Sequence, residues 1–256
     1  MTADHSETNR HTYDHPLVAA VYDEDNPFDE DRVAVVEKAA AWRSTRVVDL
    51  GCGTGLLTVA LAREGRSAVG IDPASAMLDV ARARPGGDRV EWRHGGAELI
   101  RTGEADLVTM TANVAMHILG EDWHATLQRV AVGLAPGGRL LFETRNPAMR
   151  AWERWPFPER ERVTAAGPVR ESEAVSAPDA DGIVLMVDRT QPLDDRGAPR
   201  GEPVVVEQRL QFRSEARLRA DLAAAGLEVT RVDGDWRGAP FDPATSRILV
   251  VEARKA

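Results

Sequence analysis

Apolar residues follow two rhythms along the first 150 positions. Between Phe28 and Trp42 they recur at Phe28, Val33, Val35, Val36, Ala39 and Ala40, the spacing of an amphipathic helix. From residue 46 onward, short unbroken apolar runs alternate with helical patterns. Residues 46–50 predict a buried strand, 56–63 a helix, 68–71 a second strand, and 74–83 a second helix stopped by Pro85-Gly86-Gly87. Residues 89–93 and 106–111 predict two more strands. A helix over 122–134 ends at Ala135-Pro136-Gly137-Gly138, and 139–144 form the next strand. Such alternation implies a parallel sheet with right-handed crossovers and helices on both faces, a Rossmann-like α/β core.

The rhythm changes after residue 150. Residues 151–207 are rich in Pro, Gly, Asp and Arg, and 169–175, 182–190 and 203–212 read as extended segments joined by turns such as Asp179-Ala180-Asp181-Gly182. Helical spacing returns over 214–225, with Gly226 placed as a C-terminal cap, and two last strands follow at 228–232 and 247–252. The expected organisation is an arm and helical cap (1–45), a core (46–150), an inserted antiparallel β lid (151–212), and a helix and two strands completing the core (213–256).

Composition narrows the function. At 256 residues and 43% hydrophobic content the chain fits one large α/β domain with an insertion. No apolar run reaches the length of a bilayer span, and the first ten residues are polar, so a cytoplasmic protein without a membrane partner is expected. Cys52 is the single cysteine, which excludes an intramolecular disulfide and any multi-thiolate zinc site. His5, His11 and His15 lie in a charged arm without metal-ligand spacing, so they read as solvated and no metal site is expected. The net charge of -9 shifts expectation away from nucleic acid and toward a small-molecule or peptide substrate.

The chemistry concentrates in Val47-Val48-Asp49-Leu50-Gly51-Cys52-Gly53-Thr54-Gly55. Three glycines between a strand and a helix let a ligand approach the backbone, where the helix amides face it. Alone, the glycines fit a nicotinamide or flavin dinucleotide as well. Asp49 opposes a pyrophosphate and suits a cofactor carrying ammonium and sulfonium charges. Asp72, ending the next strand, can accept hydrogen bonds from both hydroxyls of a ribose.

The Val47–Gly55 stretch resembles motif I of class I S-adenosylmethionine methyltransferases, and Gly70-Ile71-Asp72-Pro73-Ala74-Ser75-Ala76-Met77-Leu78 resembles the family's second motif. Leu134-Ala135-Pro136-Gly137-Gly138-Arg139-Leu140 resembles the turn before its fifth strand. The resemblance spans residues 46–146 and implies a seven-stranded, mostly parallel sheet. It implies that Asp72 binds the ribose and that Met77 packs near the adenine. One departure concerns the adenine edge: His94-Gly95-Gly96-Ala97-Glu98 carries Gly96 where the family has an acid, leaving the backbone of Gly96 and Ala97, with Glu98, to read it. The set expected at the cofactor is Tyr22, Asp49, Gly51, Cys52, Gly53, Gly55, Asp72, Pro73, Met77, Gly96, Ala97, Glu98, Thr111 and Ala112. Tyr13 and Tyr22, each followed by Asp, resemble N-terminal tyrosines that fold over the cofactor in small-molecule N-methyltransferases.

Methyl transfer is an in-line displacement, and alignment with exclusion of water can supply much of the catalysis. His117 is the candidate general base, with a pocket-lining imidazole as the alternative. Asn113, Arg145, Asn146 and Trp155 are candidate acceptor contacts at the carboxyl end of the sheet. The chain lacks the Asp-Pro-Pro-Tyr or Asn-Pro-Pro-Tyr tetrapeptide of amino-directed nucleic acid and glutamine methyltransferases. Its last segments resemble a bacterial group acting on natural products and modified peptides. The expected activity is methyl transfer from S-adenosylmethionine to N or O of a small metabolite, an amine first, with a peptide α-amine as the variant. An NAD-dependent oxidoreductase and a non-catalytic cofactor-binding protein are the readings of another class.

Overall fold

A computed structural model of the chain describes residues 13–255, so His5 and His11 lie outside the described residues. Seven strands form the main sheet: β1 (Arg46–Leu50), β2 (Ser67–Asp72), β3 (Glu91–His94), β4 (Ala105–Met110), β5 (Leu134–Arg145), β10 (Leu227–Asp233) and β11 (Ile248–Lys255). Their order is β10-β11-β5-β4-β1-β2-β3, parallel except that β11 runs antiparallel to both neighbours. Because side chains alternate along a strand, consecutive apolar residues serve opposite faces. Val47, Leu107, Leu141 and Val250 meet helices α2 (Glu30–Ala41) and α3 (Leu56–Leu61) through Val35, Ala39, Leu57 and Leu61. Val48, Val108, Phe142 and Val251 meet α6 (Gly120–Gly133) and α7 (Glu215–Ala224) through Trp123, Leu127, Val130, Leu218 and Leu222.

Four further strands form the lid, an antiparallel sheet in chain order: β6 (Phe157–Thr164), β7 (Gly167–Val175), β8 (Ile183–Pro192) and β9 (Val204–Gln211). Three of them match the extended segments read from sequence. β6 does not, since Phe157-Pro158-Glu159-Arg160-Glu161-Arg162 shows little apolar alternation; Arg160 and Arg162 instead reach Glu171 on β7 at 2.8 and 2.9 Å. Val184, Met186, Leu210 and Phe212 of the lid pack on Met116 and Ala151, which seats the lid over the carboxyl end of β4.

Two other expectations change. His15 is exposed, as a solvated arm requires, but residues 13 and 14 are not: Asp14 accepts from Ser75 Oγ at 2.8 Å and from Ala76 N at 2.9 Å, capping helix α4 (Ser75–Ala83). An unforeseen helix, α1 (Pro16–Asp25), follows, with proline at its first turn. Strand β5 also begins at Leu134 rather than 139, because Leu134 already pairs with Ala105 and the Pro-Gly turn becomes an irregularity in the strand. Gly226 has φ of +78°, the left-handed geometry expected after α7. Among the described residues, no helix is long and apolar enough to cross a membrane.

Candidate active site

A cavity of about 240 Å³ opens at the carboxyl ends of β1, β2 and β4, where the predicted cofactor residues converge. Tyr22, Gly51, Gly53, Asp72, Pro73, Met77, Gly96, Ala97, Glu98, Ala112 and His117 line it. The glycines divide by role. Gly51 (φ +73°) has no room for a Cβ, which would lie 2.4 Å from Val114. On Gly53 (φ +52°) a Cβ would point into the gap beneath Tyr22, 3.8 Å from Cε1, so its absence leaves a cradle there. Gly55 instead makes room for Trp92, and Cys52 turns its sulfur toward Gly70, away from the cavity.

Asp72 is buried at the cavity wall. Its two oxygens accept from Gly53 N at 2.8 Å and Ala74 N at 2.9 Å. A carboxylate has about four acceptor positions, so each oxygen can still receive one outside donor. Burial pushes its acid up to about 6, against the two amide bonds. Glu98 curls back so that Oε1 accepts from Gly96 N at 2.8 Å, and its Oε2 lies 2.7 Å from where a Cβ on Gly96 would sit. A carboxylate therefore occupies the space beside residue 96 although that residue is glycine.

Asp49 does not face the cavity. Its oxygens accept from Thr58 Oγ1 at 2.6 Å and Thr109 Oγ1 at 2.8 Å, behind the loop, where burial raises its acid. A charge next to a glycine loop is legible in sequence, but the direction of its side chain is not. Thr111 and Gly55 likewise stay off the cavity wall.

Both Tyr-Asp pairs share a design: the tyrosine faces the site and the aspartate ties it down. Asp14 caps α4, and Asp23 accepts from Thr54 Oγ1 at 2.5 Å and pairs with Arg84, holding α1 on the glycine loop. The rings of Tyr13 and Tyr22 meet edge-on, with centroids 5.8 Å apart. Burial raises both phenols, Tyr22 to about 12, so both stay protonated.

A second cavity, about 590 Å³, lies between this site and the lid; Asn113, Arg145 and Trp155 line it. Asn146 does not. Its amide donates to Pro243 O and Ser246 O at 3.0 and 2.7 Å, and Oδ1 accepts from Ala148 N, which commits it to the fold. Trp155 serves twice, lining the cavity and packing on Phe212 with ring centroids 5.6 Å apart. The two cavities have Tyr13, Tyr22, Ala112 and His117 in common.

That junction is held by strained backbone. Ala112 and Asn113 both take left-handed φ, +56° and +64°, a conformation costing about 1–3 kcal/mol for such residues. Glu143 compensates, accepting Asn113 N at 2.6 Å, while Arg145 Nε donates to Asn113 Oδ1 at 3.0 Å. Oε2 of Glu143 is buried without a hydrogen-bond partner, and burial raises the acid to about 7. Arg213 donates to the Ala115 and Ile118 carbonyls at 2.7 and 2.6 Å, clamping the short turn α5 (Val114–His117). Neither Glu143 nor Arg213 was expected; an isolated charge in a strand or after one has no sequence signature of such a role. His117 lies with its ring centroid 5.7 Å from that of Tyr13, and burial lowers it to about 4, so the imidazole is neutral at physiological pH.

Residues 47–138 match the family model of a methyltransferase domain. The chain is 30% identical over 220 residues to the cypemycin N-terminal methyltransferase of a Streptomyces species, covering 82% of this chain and 83% of that one. The chain belongs to the class I S-adenosylmethionine-dependent methyltransferases. The fold agrees. The CcbJ methyltransferase of Streptomyces caelestis superposes with a TM-score of 0.70 at 24% identity, covering 90% of each chain. CalS10, an amino pentose methyltransferase from Micromonospora echinaspora, does so with a TM-score of 0.62 at 23% identity, covering 89% of this chain and 91% of that one. The methyl donor of this methyltransferase is S-adenosylmethionine, and the oxidoreductase and non-catalytic readings fall away.

Proposed function

We propose that this methyltransferase methylates an amine nitrogen of a small molecule or of a peptide, in the cytoplasm. The observation that carries the reading is the junction. Tyr13, Tyr22, Ala112 and His117 connect the two cavities, and none of them is charged at neutral pH: the phenols stay protonated and the imidazole stays neutral. An aliphatic hydroxyl needs a strong base beside the reacting oxygen, whereas an amine that arrives neutral needs only alignment and a dry path. The cypemycin enzyme and CalS10, named for an N-terminus and an amino pentose, support an amine.

In this reading the cofactor occupies the cavity beside the glycine loop and supplies the methyl group as a sulfonium substituent. Asp72 receives the ribose hydroxyls on its two spare acceptor positions. Gly51 and Gly53 keep side chains out of the path, with Met77, Pro73 and Ala97 as apolar walls. Glu98 takes the place of the acid absent at Gly96 and faces the adenine amine. Tyr13 and Tyr22 close over the junction and exclude water, while His117 lines it. Asn113, Arg145 and Trp155 contact the acceptor under the lid, which spans residues 151–212 in this reading. The test is transfer of labelled methyl to matched amines and alcohols. We expect labelled amines, and label on the alcohols alone would refute the reading.

A further inference from the structure

Five arginines and four carboxylates line the lid-side cavity, which is therefore positive overall. Arg160 and Arg162 donate to Glu171 at 2.8 and 2.9 Å, and Arg162 grips Asp25 through two bonds of 2.8 and 2.7 Å. Glu173 and Asp188 lie directly opposite one another on β7 and β8 and share a hydrogen bond, which puts a proton between them and leaves one negative charge. Arg145, Arg154 and Arg189 remain, and among the described residues none of them is paired with a carboxylate. Arg154 and Arg189 are exposed, where salt and water screen them. Arg145 is half-buried.

Arg145 is held in one orientation. Its Nε donates to Asn113 Oδ1 at 3.0 Å, and Asn113 is itself fixed by donating its N–H to Glu143 at 2.6 Å. Among the described residues Asn113 is the only hydrogen-bond partner of the guanidinium, so both terminal nitrogens lack a protein acceptor. Asp31 and Glu143 feel its charge, but neither comes within ion-pair reach. With Nε committed, the outer edge of the planar fork stays open, and that edge matches two oxygens of a carboxylate or phosphate. Asn113 directly follows Ala112, one of the residues shared by the two cavities, so an oxyanion seated here lies close to the place where methyl is transferred.

We propose that Arg145 receives an oxyanion of the acceptor, so that the favoured acceptor is an amine carrying a carboxylate or phosphate near the nitrogen that is methylated. The inference rests on the amine reading above, with the acceptor in this cavity. A guanidinium stays charged at every working pH, and in a partly desolvated wall its attraction for an anion exceeds that of the same pair in water. The contact acts in two ways. It gives Arg145 the counter-charge that the protein withholds, and it fixes one end of the acceptor, which limits where the nitrogen can lie relative to the junction. Lysine would keep the charge at this position but present a point in place of a fork. An amine without an acid gains nothing from Arg145.

Calorimetry on protein saturated with S-adenosylhomocysteine tests this with alanine, trialanine and glucosamine 6-phosphate against alaninamide, trialaninamide and glucosamine. At least one acid-bearing amine is expected to bind about tenfold or more tighter than its partner, the scale of one charge-assisted hydrogen bond, and the pair that shows it tells a carboxylate from a phosphate. Arg145→Gln should erase that preference; if it does not fold, Arg145→Lys should lower the ratio at least about threefold. A merely loosened Asn113 turn would weaken both members of a pair alike, so the ratio reports the anion contact alone. Equal binding within every pair, no binding of any acid-bearing amine, or a preference that survives the substitution overturns the proposal. A fall in S-adenosylhomocysteine affinity with the acceptor ratio unchanged overturns it too, by giving the guanidinium to the cofactor. Labelled-methyl transfer separates the two readings. If amines are methylated with or without an acid and KM is unaltered in Arg145→Gln, the anion contact is refuted and the amine reading stands. If only hydroxyls are methylated, the amine reading itself has failed.

Discussion

Replacing Asp72 with alanine removes one carboxylate with two separable duties. It withdraws the acceptor that fixes Gly53 N and Ala74 N at 2.8 and 2.9 Å, and it withdraws the two free acceptor positions that face the cavity. Hydrogen bonds to a charged acceptor contribute about 1.5–3 kcal/mol, and each 1.4 kcal/mol is about tenfold in affinity. Calorimetric titration with S-adenosylhomocysteine should therefore show a Kd about 10- to 150-fold weaker. The pH dependence gives an internal control. The Asp72 acid is raised to about 6, so the carboxylate gains a proton as pH falls through that value and loses acceptor capacity. Wild-type affinity should then drop about tenfold per pH unit below 6, and the Asp72→Asn variant should lack that inflection. An Asp72→Ala variant that folds and binds within about threefold of wild type would refute the ribose role.

Two other sites yield predictions of different kinds. His117→Gln should keep its rate at saturating cofactor within about tenfold of wild type, because the imidazole lines the junction in its neutral form; a loss of about 10²–10⁴ would mark it as a base. Glu143 is raised from 4.5 to about 7, so the folded state binds its proton more tightly than the unfolded chain, and this residue's contribution to stability declines as pH rises from about 4.5 to 7. Glu143→Gln should consequently gain on wild type in urea unfolding between pH 5 and pH 8, by about 3 kcal/mol at most. Glu143→Ala should slow turnover by freeing the Ala112-Asn113 turn; a gain equal to that of Glu143→Gln with full activity would contradict the turn-holding role.

The parts of the fold that were legible in sequence are those fixed by short-range rules. The loop from Gly51 to Gly55 could be read because its backbone demands φ values that favour glycine, and the strands because unbroken apolar runs must be buried on both faces. Helix α1 was missed because its apolar positions face partners distant in sequence: Ala19 and Tyr22 pack on Ala74 and Met77. Strand β6 was missed because arginines, not apolar side chains, join it to its neighbour. At the site, Asp72 and Gly53 were foreseeable, whereas Asp49 and Asn146 turned out to serve the interior. Their residue types fit either role, and only the surrounding donors decide: Thr58 and Thr109 for one, the 243–246 carbonyls for the other.

Acceptors offering both atoms decide whether methyl passes across the uncharged junction to nitrogen. Glucosamine, tyramine and a short peptide beginning with serine each carry a primary amine and a hydroxyl. Incubation with labelled S-adenosylmethionine, followed by tandem mass spectrometry, locates the new methyl group. The label is expected on nitrogen in every acceptor that turns over. Label on oxygen, with the amine of the same molecule left unmethylated, would contradict it.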